Sequence, residues 1–378
     1  MKPAVAAMTW NLNQIRQTVF WLILVTLPWQ TRWFQEGTWL GGFPWEQGRI
    51  SIYISWILIL VCMILRLAST RRPCAREDPS VQLASSFVPL HHPGNNTIET
   101  IKMKLLSGTH PFFHSDGSSR AQGRRTKRTF SLIVGILFFL SVLLHTSSPR
   151  ATFQFCLEWF MLGLFFWSSL DLSFGFKKFS IGYALSLLPS TIFGLWQYGV
   201  QMVPAIKYAG VALQSPLVRG VSVIEAAGER VLRIYGTFPH PNIFAGWLTV
   251  AIFLLLLTIP LLIKRWQQYA VVFWINLSLI ALILTFSRAA LIALCVGGLV
   301  ALCLSTIRKT YVALPIRFIV SAVMITSLVV GFTFLQTRHL WLVRAQSTTR
   351  LEQRSVNERT QSLEDGIKIF RTHPCLGV

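Results

Sequence analysis

Charge is scarce in this chain of 378 residues: only 13% of them are Asp, Glu, Lys or Arg, and just 14 are acidic. So little charge, beside 53% hydrophobic residues and a mean hydropathy of +0.53, excludes an ordinary water-soluble domain. Cysteine is scarce as well, six in all. Cys62, Cys156, Cys295 and Cys303 fall in apolar runs as small fillers, with Cys74 and Cys375 outside them, so neither a disulfide framework nor a zinc spacing follows. His91-His92 and the pair His110 and His114 have metal-like spacing, but no third ligand is close and Pro111 intervenes. They read as solvated loop residues, and no metal or other cofactor is expected. No small-residue cleavage site follows Pro28-Trp29, which argues against a cleaved signal peptide for the first apolar run.

What the chain does have is a series of apolar runs approaching the ~20 residues that span a bilayer. Nine are read: Val19–Trp29, Ile50–Leu67, Phe130–Leu144, Phe153–Leu170, Ile181–Val203, Ile243–Ile263, Val271–Phe286, Ala289–Ile307 and Ile316–Leu335. The expected fold is all-α, a polytopic integral membrane helical bundle with about nine transmembrane helices in a single membrane domain, 1–378.

The formal charge of +21 raises nucleic acid as a partner, but the placement of the cations argues against it. Ten Lys and Arg residues lie between the second and third runs, from Arg71 to Arg128, and smaller clusters stand at Lys177-Lys178, Lys264-Arg265 and Arg308-Lys309. With a cytoplasmic N-terminus, all of these fall on the inner side, as the positive-inside rule requires. No aromatic nucleic-acid platform accompanies them, so the expected partners are membrane lipids and not nucleic acid. The stretch 68–129 is then a flexible, basic cytoplasmic loop. Gln30–Arg49, His145–Thr152, 204–242 and 336–378 lie outside, together with the tight Ser287-Arg288 turn. The sequons at Asn95-Asn96-Thr97 and Asn276-Leu277-Ser278 fall inside or within a span and read as chance matches.

Three outer stretches carry the residue types of a reactive site. The first is Arg233-Ile-Tyr-Gly-Thr-Phe-Pro-His-Pro-Asn242, preceded by the mixed charges Arg219, Glu225, Glu229 and Arg230. Gly236, Pro239, Pro241 and Asn242 are turn formers, and Asn242 is placed to cap a helix starting at Ile243. Arg233 and the free amides of that helix start would then face the same water, as an anion site needs. The second is Thr285-Phe286-Ser287-Arg288, where an arginine between two spans is a functional candidate by default, against the alternative that it snorkels to lipid phosphates. The third, Leu351–Val378, puts Val356, Leu363, Ile367 and Phe370 on one face of an amphipathic outer-surface helix. The i,i+4 pairs Arg354/Glu358 and Glu364/Lys368 give its charges a structural reading, and His373-Pro374 ends it. Glu158 is the one carboxylate well inside a span, either a buried polar group between helices or a group that orients an arginine or moves a proton.

Arg233-x-x-Gly-Thr-Phe-x-His-Pro-Asn-x-x-Ala, then Thr-Phe-Ser-Arg288-Ala-Ala, then Ile-Phe-Arg-Thr-His373-Pro-Cys-Leu-Gly-Val, resembles in order, spacing and sidedness the O-antigen ligase and polymerase superfamily. The resemblance covers about Ile181 to Val378. It implies a glycosyltransferase of the bacterial plasma membrane that moves a glycan from a polyprenyl (undecaprenyl) diphosphate donor to a lipid or polysaccharide acceptor hydroxyl on the periplasmic side. Arg233 and Arg288 match the family's motif arginines and would hold the diphosphate, with Arg219 a third. Gly236, Pro241, Asn242 and Ser287 would shape the motif turns. His373 or His240 has the pKa range of the general base. Family members usually continue past this His-Pro-x-Leu-Gly-Val element, so the chain reads as C-terminally truncated. Three alternatives stay open: an O-antigen polymerase, an inorganic-carbon (bicarbonate) transporter, and an inactive remnant.

Overall fold

Apolar sequence becomes helix here because a backbone in hydrocarbon has to satisfy its own N–H and C=O groups. The computed structural model describes residues 2–29, 32–34, 39–40, 43–44, 51–70, 149–170, 172, 174–206, 210–218, 220–226, 228–307, 314–346 and 350–374. All of these except Thr70 belong to the unit made of Met1–Ser69 and Ser147–Val378. The run Phe130–Leu144, the loop 68–129 beyond Thr70, Arg219, His91, His92, His110, His114, Cys74 and Cys375 lie outside the described residues.

The helices are α1 Lys2–Thr26, α2 Ile54–Thr70, α3 Pro149–Ser169, α4 Phe176–Val200, α5 Pro241–Thr258, α6 Arg265–Leu284, α7 Arg288–Ile307, α8 Ile316–Gln346 and α9 Arg350–Thr372, with a 3-10 turn Ile259–Leu261 after α5. Among the described residues four helical stretches are long and apolar enough to cross a membrane: Phe176–Val200, Pro241–Leu261, Arg265–Leu284 and Ile316–Gln346. Ile54–Ser69 and Arg288–Leu304 are apolar but shorter. The described residues therefore do not reach the expected count of nine spans, and one of the nine, Phe130–Leu144, lies outside them. In α3 the polar Gln154, Glu158, Ser168 and Ser169 dilute an otherwise apolar helix, and α1 begins far upstream of its apolar part.

The all-α expectation is also corrected: the chain is mostly helical, but short antiparallel ladders join its connections. Arg32–Phe34 (β1) pairs with Ser51–Tyr53 (β4), and Trp39–Leu40 (β2) with Phe43–Pro44 (β3). Val223–Ala226 (β5) pairs with Glu229–Leu232 (β6), with Glu225 opposite Arg230 and Gly228 at φ +83° in the turn. Side chains alternate across a strand, and this hairpin uses both faces. Ile224 and Ala226 pack with Ile283, Phe286, Leu340 and Trp341, while Val223 and Leu232 pack with Val203, Val211 and Tyr235.

The main core is built by α4, α5 and α6, which touch one another, with α7 against α5 and α8 against α6. Leu187, Phe244, Leu248, Ile252, Ala281 and Leu282 are fully or almost fully buried there. Val19 and Ile23 of α1, Ile59 and Cys62 of α2 and Met161 of α3 form a second cluster. Asn276 is buried in α6, where its Nδ2 donates to the Val272 carbonyl.

Candidate functional site

The loop between β6 and α5 crosses the C-terminal end of α4, and its shape follows from what α4 offers it. Gln197, fully buried, accepts from the N–H groups of Tyr235 (3.2 Å) and Gly236 (3.0 Å) and donates to the Gly236 carbonyl (2.7 Å). One side chain thus satisfies three backbone groups that would otherwise be buried without partners. Gly236 has φ +59°, and a Cβ there would sit 2.8 Å from the Ser190 carbonyl, so only glycine fits this approach. Gly194 does the same from the helix side, where a Cβ would meet the Gly236 nitrogen at 3.3 Å. Thr237 adds a second tie: its hydroxyl meets that of Ser190 at 2.7 Å and donates to the Pro28 carbonyl at 2.9 Å.

The helix after this loop starts differently from the expectation. Pro241 is its first residue, with φ already suited to a helix, and His240 is the N-cap. The His240 Nδ1 accepts from the Asn242 N–H (3.1 Å), which is the capping role expected of Asn242. The Asn242 side chain instead bonds the motif arginine, its Oδ1 accepting from Nη2 of Arg233 at 2.7 Å. The Nε2 of His240 lies 3.1 Å from the Ser222 hydroxyl. Since Nδ1 accepts, the neutral ring carries its proton on Nε2 and donates to Ser222. Burial first, and then the Arg233 charge, lowers the His240 pKa to about 4.

Arg233 itself is 3% exposed. Its Nε donates to the Thr285 carbonyl at 2.7 Å, so both of its described partners, Thr285 and Asn242, are neutral acceptors. Burial, then the charge of Arg344, lowers its pKa to about 9, which still leaves it charged at neutral pH. Among the described residues no carboxylate forms an ion pair with it; Glu225 is 3.6 Å from Arg230.

Thr285, Phe286 and Ser287, all buried, turn the chain between α6 and α7. Thr285 Oγ1 accepts from the Ser287 N–H (3.3 Å), and Phe286 stands at φ +51°, a left-handed conformation that an aromatic residue adopts only when its surroundings hold it. Trp341 of α8 packs its ring 5.3 Å from that of Phe286. Arg288, half-buried, follows at the start of α7, and its Nη1 donates to the Arg344 carbonyl at 3.0 Å. Arg344 is 6% exposed and turns its Nε toward the Phe286 carbonyl at 3.4 Å.

Arg233, Arg288 and Arg344 are thus brought to one turn, and the exposed Arg359 of α9 is close enough for its charge to be felt at Arg233 and His240. Sequence reasoning misses Arg344 and Arg359. Arg344 falls after Leu335, where the apolar run ends, yet α8 continues as helix to Gln346. Arg359 sits within a charged helix whose i,i+4 pairs mask it; the Arg354 to Glu358 pair does form, at 2.7 Å.

The remaining candidates are Glu158 and His373. Glu158, exposed on α3, accepts from Gln154 Nε2 at 2.9 Å, and Gln154 in turn bonds the backbone of Ser51. It borders a cavity of about 700 Å³ lined by Phe20, Trp56, Phe165, Tyr183 and Trp247. His373 is exposed just after α9, where its N–H donates to the Ile369 carbonyl. Among the described residues no hydrogen bond joins either side chain to Arg233, Arg288 or Arg344, and no group of three His, Cys, Asp or Glu residues could hold a metal ion.

Residues 271–378 of the chain match the O-antigen ligase family. No curated protein and no solved structure matches the chain. The matched segment holds the Thr285–Arg288 turn, Arg344, Arg359 and His373; the Arg233 loop precedes it in sequence and joins it in space through Thr285.

Proposed function

We propose, proceeding from the O-antigen ligase segment at residues 271–378, that this membrane protein transfers a glycan from a polyprenyl diphosphate donor to an acceptor hydroxyl, with Arg233 and Arg288 on the diphosphate. The observation that carries this reading is the buried Arg233 guanidinium, fixed by two neutral acceptors and bonded to no carboxylate among the described residues. A cation kept charged and rigid without an acidic partner is suited to a mobile anion that arrives with the substrate.

In the reaction the acceptor oxygen bonds to the anomeric carbon as the bond from that carbon to the diphosphate oxygen breaks. Negative charge grows on the leaving diphosphate, where guanidinium groups stabilise it without a metal. The acceptor proton goes to a general base. His240 is poorly placed for that, because both ring nitrogens are engaged and its pKa is lowered to about 4. His373, exposed at the end of α9, is the base in this reading. O-antigen ligases and polymerases share this donor chemistry and differ in the acceptor.

The test is transfer of a polyprenyl-diphosphate-linked glycan by the full-length protein, with Arg233→Ala and Arg288→Ala at matched membrane expression. Both substitutions abolish transfer if the reading holds. Unchanged transfer in both removes these arginines from the donor, and absence of transfer by the wild type with several donors and acceptors turns attention to transport.

A further inference from the structure

The polypeptide between α6 and α7 is short, buried and unusual: Phe286 holds φ +51° with its side chain fully buried. A non-glycine residue keeps a left-handed backbone only when its neighbours over-determine it. Two residues of α8, one turn apart, supply that restraint. Trp341 packs on the Phe286 ring, and the Nε of Arg344 points at the Phe286 carbonyl. The same Arg344 accepts on its own carbonyl the Nη1 of Arg288, whereas the carbonyl just before Phe286, that of Thr285, accepts the Nε of Arg233. Each of the two donor-binding arginines is therefore placed by a bond that depends on how this turn sits against α8.

We propose that Arg344 is a positioning residue: with Trp341 it clamps the Thr285–Ser287 turn against α8 and so sets the spacing of the Arg233 and Arg288 guanidinium groups for a diphosphate. This rests on the donor reading above and adds a residue to it. At the Phe286 carbonyl the requirement is for an N–H at the Nε position rather than for a charge. Glutamine meets that requirement, since its amide nitrogen is separated from the backbone by the same number of bonds as Nε of arginine. Lysine keeps the charge but has a methylene there.

The experiment compares wild type with Arg344→Ala, Arg344→Gln and Arg344→Lys in lipid nanodiscs, by two readouts. One is amide hydrogen exchange of Phe286–Arg288 without ligand; the other is the affinity for inorganic diphosphate. The clamp predicts that Arg344→Ala speeds exchange at these amides and weakens diphosphate binding, each about tenfold, while Arg344→Gln keeps both within about threefold of wild type. Normal exchange in Arg344→Ala overturns the proposal. So does the opposite ranking, with lysine restoring diphosphate affinity and glutamine failing, because charge would then be the requirement. Exchange is read without ligand, so a wild type that fails to bind diphosphate counts against the transfer reading and leaves the clamp to be decided by exchange alone.

Discussion

The Nε of Arg233 donates to the carbonyl of Thr285 across 2.7 Å, so an arginine that follows the β5–β6 hairpin is anchored on the turn that ends α6, 52 residues later. The second anchor, Asn242, is the adjustable one. It lies at the start of α5, where only its backbone N–H is used in capping.

Asn242→Asp places a carboxylate where an amide oxygen now meets the Arg233 guanidinium at 2.7 Å. The resulting ion pair competes with an incoming phosphate for the same cation. Diphosphate affinity is expected to fall about tenfold or more, and transfer with it, while thermal stability in detergent does not fall. Isothermal titration beside a thermal melt checks this; unchanged affinity would take Arg233 off the anion.

Gln197→Ala strips three backbone groups of the motif loop of their shared partner. Each buried polar group left unsatisfied costs about 1–3 kcal/mol, so the loss is expected to exceed that of an apolar truncation elsewhere on α4. Melting temperatures of Gln197→Ala and Leu185→Ala, the latter at an exposed position, measure the contrast.

Gly236→Ala brings a methyl group to 2.8 Å from the Ser190 carbonyl and asks alanine to hold φ +59°. The atom it meets is a backbone carbonyl, not the end of a flexible side chain that could yield, and the left-handed conformation alone costs roughly 1–2 kcal/mol. Lower yield of folded protein is expected, along with loss of transfer. Gly246→Ala, where a Cβ meets nothing within 4 Å, serves as the control.

The His240 pKa is lowered in the folded protein to about 4, from an ordinary 6.5. Between these values the unfolded chain takes up a proton that the folded one refuses, so stability from this residue is fully present above pH 6.5 and is lost as pH falls toward 4. His240→Asn keeps a capping side chain and removes the titration. Its stability is expected to depend less on pH across that window than that of wild type, in denaturant titrations at about pH 7.5, 6 and 5. The same shift predicts that the pH profile of transfer shows no inflection near 6.5 attributable to His240.

Arg233 and Arg288, the arginines proposed for the donor, are legible in the sequence because each is a cation set directly against apolar runs, with turn formers beside it. Their mutual placement is not, since it depends on the Thr285 carbonyl, a backbone group that every sequence has. Asn242 reads as a cap because Asn is a good one; the competing acceptor, His240 Nδ1, wins because Pro241 begins the helix two residues earlier than Ile243. Gln197 is lost inside an apolar run, where one polar residue does not disturb the hydropathy that marks a span. Arg344 is lost for the opposite reason, as hydropathy falls after Leu335 although the helix does not end there. The β5–β6 hairpin, four residues on each side, is too short to show a period, and only its mixed charges stand out.

Helix α8 also works as a ruler. Its 31 residues extend about 46 Å, against the roughly 30 Å of a bilayer's hydrocarbon core. If about 20 residues of its apolar N-terminal stretch fill that core, the final turns that carry Trp341 and Arg344 would stand above the acyl chains, near the depth of the lipid phosphates. A lipid-borne diphosphate would then meet the arginine turn by sideways diffusion in its own layer, without leaving the membrane or dragging its charge into oil.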